Sequence, residues 1–496
     1  MPSGLRGYNV FLDGVKINND PIPNGGTIPL AGLSQATDYS SRITVTAIDN
    51  AGNESEPVTL ADLGTTATTT VPSPDDPLPA DITAAIDALV ASKLKPNTKT
   101  DGALVGIVTP NGSYYKAYGG DRTSGQTLTL AHRTRYGSIS KMYCNTLVLA
   151  QIDAGHISFD DTLDQFVSGV ANGDKITIRH LLMMQSGIKD YLGEDAAVQQ
   201  SYFLNPTSTF DPMPYIRSYE PMYEPGESSS YSNSNTILLG KILEWCDAEY
   251  GAGRGIRQII LEDACATLGL DETEWPTGNY LSPPYMRGWT PNLALPQIQA
   301  LLGPLAFLAG LFGYPTAAEL EWTAVSTTWA GAAGSLGGTI YDLVKFGEHL
   351  RDGTLLSPEM KRRQEEEFVT YVTYDPKGPW EGPGWMGFGL NTILFGYWQG
   401  WIGNLGGYIS VLFYNKRDGS IIALSLNNFT AESVDLFYRI AYLLKPEDSV
   451  LSPWILRPRG KIGSTSKVGK PGVYVYHEPG DEDGNTEVPL KVPFYI

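Results

Sequence analysis

Ser138 and Lys141, in the run Tyr136-Gly-Ser-Ile-Ser-Lys141, are the side chains whose types and spacing could do covalent chemistry. The apolar stretch 142–152 follows at once and stops at Gly155, which predicts one largely buried helix with a glycine just past its end. Ser138 and Lys141 then sit in its first turn. Residues three apart share a helix face, so the amine lies beside the hydroxyl, and the helix N-terminus adds positive potential to both. A serine hydroxyl is a weak nucleophile until a neighbour can take its proton, and an amine of depressed pKa can do so. A Ser/Lys pair at an ordinary helix start is the plainer alternative, and four-residue matches arise often by chance. The motif needs partners.

Two further runs supply them. Tyr231-Ser-Asn233 follows Pro225-Gly226 and leads into a helical stretch at 236–243. A tyrosine can shuttle a proton, and an asparagine amide can both hold the lysine and donate to a substrate carbonyl. Trp401-Ile-Gly403-Asn404 stands just before a strand expected from Gly407. An exposed edge strand there would hydrogen-bond a substrate backbone and lend an N–H to an oxyanion hole. Together these residues make a coherent acyl-transfer site.

The elements around them are bounded by composition. The formal charge of −19 excludes binding to a nucleic-acid backbone, which needs a basic footprint, and no basic stripe is present. A hydrophobic content of 42% with 54 Gly and 34 Pro predicts a soluble, loop-rich protein rather than a disordered one. Three cysteines are too few for a disulfide framework or a zinc site; Cys144 reads as packing, and a Cys246–Cys265 bridge is an open alternative. No metal or organic cofactor is implied. The start of the chain shows no charged-then-apolar leader. Residues 293–314 carry no charge but contain Pro296, Gln297, Gln299 and Pro304, so they read as a buried or lid-like segment, or an apolar patch for a partner, and not as a membrane span.

In chain order, residues 7–60 alternate apolar and polar with Gly, Asp and Asn turns, the pattern of a small β-sandwich. A Thr/Pro/Asp linker at 63–79 separates it from the rest. A helix at 80–94 precedes strands at 102–109 and 114–119 joined at Asn111-Gly112. Residues 177–187 predict a capped helix closed by Gly187, and 236–322 read as mostly helical. Strands return at 387–391, 407–414 and 420–426, before a helix at 433–444. The expected fold is α+β: an antiparallel sheet covered by helices, an all-helical lobe within about 142–330, and a small N-terminal β-sandwich. The expected divisions are 1–62, the linker 63–79, a main domain 80–450 and an extension 451–496 with one hairpin-like run at 472–476.

Gly-Ser-Ile-Ser-Lys141, the run Ile176 to Gly187, Glu224-Pro-Gly-Glu with Tyr231-Ser-Asn233, and Ala333-Gly-Ser-Leu-Gly-Gly-Thr339 with Asp342-Leu resemble the serine β-lactamase and penicillin-binding protein superfamily. The resemblance covers about residues 80–445. Tyr-Ser-Asn as second motif is nearer the class C β-lactamases, D-alanyl-D-alanine carboxypeptidases and esterases. It implies Ser138 as acylated nucleophile, Lys141 and Tyr231 sharing its proton, Asn233 orienting them, and the N–H groups of Ser138 and Asn404 as oxyanion hole. Trp401, Ile402 and Gly403 stand where Lys-Thr-Gly is usual, which removes a cation and a hydroxyl that would meet a substrate carboxylate. Trp401 itself reads as a substrate platform or a rim aromatic.

Residues 7–55 resemble the later strands of a fibronectin type III domain, completed by a neighbouring chain or reduced. The whole arrangement resembles minor tail proteins of phages that infect actinobacteria. Expected partners are peptidoglycan or an acyl ester, with neighbouring tail or oligomer subunits at the N-terminal module. The expected setting is a virion tail or the cell envelope. A tail protein that binds the cell wall without turnover is the alternative of another class.

Overall fold

A computed structural model describes residues 5–12, 15–16, 43–49, 54–55, 57–59, 76–94, 102–120, 125–193, 195–291, 319–370, 385–387, 391–393, 398–428, 433–445, 473–476 and 488–491. The chain divides into two compact units, residues 1–78 with 109–113, and residues 79–108 with 114–496. In the first, β1 (Leu5–Leu12), β2 (Val15–Lys16), β3 (Ile43–Asp49) and β4 (Val58–Thr59) form one antiparallel sheet in the order β2-β1-β3-β4. β1 and β3 pair along almost their full length, Val10 opposite Val45, with a register shift between Leu5 and Gly7. Residues 17–42 of the expected β-sandwich and most of the linker lie outside the described residues.

The second unit holds an eight-stranded sheet. Its strands are β5 (Gly102–Thr109), β6 (Gly112–Gly119), β7 (Phe368–Thr370), β8 (Trp385–Gly387), β9 (Asn391–Ile393), β10 (Trp398–Leu405), β11 (Tyr408–Asn415) and β12 (Ile421–Leu426), in the order β7-β8-β9-β10-β11-β12-β5-β6. All eight residues of β11 are buried, and so are all eight of β5. Both therefore read as continuous runs of Val, Ile, Leu, Ala, Phe and Tyr with few polar residues, the mark of a strand covered on both faces. α1 (Ala80–Lys93) and a C-terminal helix (Ser433–Leu444) pack together on one face, where Phe437 meets Phe413 and Trp398. The other face carries α2 (Ser140–Asp153) and Ile340–Asp352, whose Gly347 admits Leu412 and Ile421.

α2 ends as expected, with Gly155 at φ 75° just beyond its last turn. α3 (Ile178–Leu182) is shorter than its sequence suggests. It starts on a reciprocal Thr177–His180 capping box, but Met184 turns left-handed at φ 55°, so the chain leaves the helix before Gly187. α4 (Asn233–Tyr250) begins on the second motif.

Among the described residues, the helical reading of 236–322 holds for its first third and not for 267–291 or 319–322. One helical turn, Ile256–Ile259, runs into a π-helical segment, Ile260–Ala266, and irregular chain follows to the short strand Trp289–Pro291. Gly269, Pro276, Gly278 and the Pro283-Pro284 pair explain this, since proline lacks the N–H a helix needs and glycine favours turns. Residues 293–314 lie outside the described residues. Gly387 and Asn391 belong to two strands, β8 and β9, rather than to one. The run at 472–476 forms Val473–Tyr476, paired with Val488–Lys491. The three cysteines are free thiols, so no Cys246–Cys265 bridge forms. Among the described residues no helix is long and apolar enough to cross a membrane.

Candidate active site

The chain turns into α2 through one 3-10 turn, Gly137–Ile139, which carries Ser138. Two glycines let this turn lie backbone to backbone on β10. Gly137 adopts φ 54°, and a Cβ there would stand 2.6 Å from Asn404 N; a Cβ on Gly403 would stand 1.8 Å from Tyr136 O. Neither position admits a side chain. The start of α2 is also tied sideways, because Leu336 N donates to Ser140 Oγ at 3.0 Å.

Ser138, Lys141, Tyr231 and Asn233 form one hydrogen-bonded group, although 92 residues separate Lys141 from Asn233. Tyr231 Oη lies 2.7 Å from Ser138 Oγ on one side, and Lys141 Nζ lies 2.9 Å from it on the other. Lys141 Nζ donates to Asn233 Oδ1 at 2.7 Å and to the Ala333 carbonyl at 2.7 Å. Tyr231 Oη is also 3.2 Å from Asn233 Oδ1, and its ring lies 5.0 Å from the amine. Lys141 has no exposed surface. Burial drives its pKa down to about 7, against the opposing pull of Asp190.

The geometry suits a neutral amine. Two N–H bonds go to acceptors that cannot donate, the Asn233 and Ala333 oxygens, so the lone pair is left for the Ser138 hydroxyl proton. With Tyr231 on the far side of the same oxygen, the group can take a proton from Ser138 and pass one onward.

Two members of this group lie outside the three motifs. The Ala333 carbonyl comes from the 3-10 turn Gly331–Ala333. Asp190, 4% exposed, accepts from Asn233 Nδ2 at 3.1 Å on each oxygen, from Asn233 N at 3.2 Å and from Leu192 N at 3.2 Å. Burial raises its pKa, while the Leu192 and Asn233 donors and Lys141 lower it. Neither is marked by its side-chain type: Ala333, which opens the run to Thr339, acts through its backbone, and Asp190 is one acidic residue in a loop. The only available hint was its place four residues after Ser186, at the end of the run resembling the superfamily.

The third motif sits inside β10, an interior strand, rather than ahead of one. β9 pairs only with Trp398–Gly400, so the described ladder on that side stops before Trp401 and leaves 401–405 paired with β11 alone. Trp401, opposite Leu412, is 2% exposed and belongs to the core, which removes the rim-aromatic reading. Its ring lies 6.4 Å from that of Tyr231, so an indole fills the ground beside the tyrosine. Gly403 and Asn404 meet the Ser138 turn as described, and the half-buried Asn404 holds an Oδ1 with no hydrogen-bond partner. Among the described residues no group of three or more His, Cys, Asp or Glu side chains is placed to hold a metal ion.

On this fold the similarities to known proteins are consistent. A D-stereospecific amidohydrolase from Streptomyces sp. superposes with a TM-score of 0.58 at 23% identity, covering 72% of this chain and 97% of that one. The D-amino acid amidase of Ochrobactrum anthropi SV3, in complex with L-phenylalanine amide, gives 0.60 at 18% identity, over 74% and 100%. The octameric penicillin-binding protein homologue from Pyrococcus abyssi gives 0.57 at 20%, over 76% and 79%. In sequence, penicillin-binding protein 4* of Bacillus subtilis (strain 168) is 27% identical over 174 residues, which is 33% of this chain and 37% of that relative's length. The chain thus spans well under half of that relative. The beta-lactamase family model matches residues 80–445, a span that holds every residue of the hydrogen-bonded group, and the chain therefore belongs to the beta-lactamase family, within a superfamily of serine hydrolases.

Proposed function

We propose that the protein is a serine acyl hydrolase that forms its acyl-enzyme on Ser138. The observation that carries this reading is the buried amine of Lys141, 2.9 Å from Ser138 Oγ, with its other hydrogen bonds already committed. Lys141 Nζ takes the hydroxyl proton as Oγ attacks the carbonyl carbon, and the tetrahedral oxyanion accepts from the N–H groups of Ser138 and Asn404. Tyr231 gives its proton to the leaving group and is refilled from the Lys141 ammonium. Water then repeats the sequence on the ester and releases the acid.

The substrate class that fits is cell-wall material or a related acyl ester or amide, handled as by a D-alanyl-D-alanine carboxypeptidase or an esterase. Two relatives named for D-amino acid amides and D-stereospecific hydrolysis support an acyl bond next to a D-residue. Trp401 and Ile402 offer neither cation nor hydroxyl to a substrate carboxylate, which favours neutral acyl donors over β-lactams. The strands β1 to β3 support a fibronectin-like module in front of the hydrolase, and with it a place in a phage tail that touches the host wall.

The test is intact-protein mass after incubation with a fluorescent penicillin or an activated acyl ester, for wild type and Ser138→Ala. An adduct that vanishes in the variant sustains the reading, and the reagent that reacts identifies the preferred acyl donor. Folded wild type that forms no adduct with either reagent sinks it, in favour of a wall-binding tail protein without turnover.

A further inference from the structure

We infer that Asp190 is the positioning residue of this site: by accepting from Asn233 it dictates which amide atom meets Lys141, and its charge sets how readily that amine holds a proton. The inference rests on the reading of Ser138 and Lys141 given above, and it adds a residue that acts through another.

The amide of Asn233 could in principle stand either way round. Asp190 removes the choice. Both carboxylate oxygens lie 3.1 Å from Nδ2, and a carboxylate only accepts, so the NH2 end must face Asp190 and the carbonyl end must face Lys141 and Tyr231. A flipped amide would set oxygen against carboxylate and N–H against the amine's own N–H groups. Lys141 could then no longer turn its lone pair to Ser138.

Asp190 is itself held firmly. Ser234 Oγ donates to the Lys189 carbonyl at 2.7 Å and accepts from Tyr191 N at 3.3 Å, so both neighbours of Asp190 are stitched to the start of α4. Tyr191 Oη donates to the Trp329 carbonyl at 2.5 Å. Gly193 leaves the space that the carboxylate needs, since a Cβ there would stand 2.5 Å from Asp190 Oδ2. The backbone N–H of Asn233 adds its bond to Asp190 at the N-terminus of α4, where Ser232 makes no side-chain cap. The helix end thus favours the negative charge.

Among the described residues three titratable groups face Lys141: Cys144 from its own helix, Tyr231 from the chain before α4, and Asp190 from the loop after α3. Burial pushes the Cys144 thiol well up, so it stays neutral. Asp190 is the sole carboxylate of the three. Its charge favours the ammonium and opposes the effect of burial, so removing the charge makes Lys141 a weaker base.

The experiment compares wild type with Asp190→Asn and Asp190→Leu. The Lys141 titration is followed by NMR of protein labelled with ¹³Cε-lysine, the resonance assigned with Lys141→Arg, and acylation by an activated ester is followed over the same pH range. Asparagine at 190 keeps, through its one oxygen, the acceptor that Leu192 N, Asn233 N and Asn233 Nδ2 share, and it removes the charge together with the second acceptor. Its Lys141 midpoint, about 7 in wild type, is expected to fall by about one pH unit or more, and the acidic limb of the acylation rate falls with it. Leucine frees the Asn233 amide, and acylation is expected to drop roughly 100-fold at every pH, with rate recovered in the asparagine variant.

A Lys141 midpoint that does not move in Asp190→Asn overturns the inference. So does a loss of rate that follows only the folded fraction, which is what a mere helix cap would give. If Asp190→Leu fails to fold, the asparagine variant still decides. Failure of the functional reading is separable, because it shows as wild type forming no adduct or Ser138→Ala acylating like wild type, whereas the NMR midpoint needs no turnover.

Discussion

The wall formed by the starts of α2 and α4 and the wall formed by β10 face each other across Ser138 and are built on different terms. On the helical wall the polar groups behind Ser138 are buried and satisfied: Lys141, Asn233 and Asp190 are each at most 4% exposed and all hydrogen-bonded. The strand wall is apolar and steric, with an indole at 401, an isoleucine at 402 and a glycine at 403 that exists to let Tyr136 O approach. On the proposed function, the difference assigns proton transfer and recognition to separate elements. The first is fixed by mutual hydrogen bonding and tolerates no partial change. The second is set by shape, so it can be rebuilt without touching the first.

The largest expected effect lies on the helical wall. Ser138→Ala should abolish the acyl adduct and lower hydrolysis by at least roughly 1,000-fold, read by intact mass and ester turnover, with melting temperature unchanged. An adduct that persists would place the nucleophile elsewhere and erase the contrast between the walls.

On the strand wall, Trp401→Lys restores a cation in a buried apolar position. It should destabilise the fold by roughly 3 kcal/mol, read by urea denaturation, while raising the acylation rate with penicillin relative to a neutral ester. A stable variant with the same preference would show that the indole does not set recognition. Gly403→Ala should destabilise by about 1–3 kcal/mol, because its Cβ collides with backbone that cannot swing aside. A thermal melt unchanged from wild type would mean that β10 and the Ser138 turn are not in rigid contact.

The smallest effect is in pH. With Lys141 lowered by burial to about 7, acylation needs the neutral amine and should rise with pH through that value. Below it the rate should fall about tenfold per pH unit, measured with an ester whose own hydrolysis is flat over that range. A profile without an acidic limb near 7 would show that Lys141 is not the base.

Much of this site was legible in the sequence because its groups sit where helix periodicity can be read. Ser138 and Lys141 precede a long apolar run, and Asn233 opens another, so the pattern locates both helix starts. The placement of Trp401 was harder. Gly400, Gly403, Gly406 and Gly407 read as loop, whereas three of them, Gly400, Gly403 and Gly407, are places of close backbone approach in or beside a buried strand. Asp190 was missed because its meaning is tertiary. It stands 43 residues from the amide it orients, in a loop whose local sequence offers no hint beyond its place just after the run that ends at Gly187. The helical reading failed over 267–291 for a simpler reason, since aliphatic content was weighed above the glycines and prolines that interrupt it.

The order of the eight strands also bears on how the protein comes to exist. β5 lies between β12 and β6, and Gly102 N donates to Asn427 Oδ1 across 325 residues of chain. At ribosomal rates β5 therefore emerges roughly 15–65 s before the strand that must cover it. Through that interval an edge of Ala, Leu, Val and Ile, buried at all eight positions in the finished sheet, is open to any other strand. The segment most in need of a chaperone during synthesis is thus the one made early and completed last.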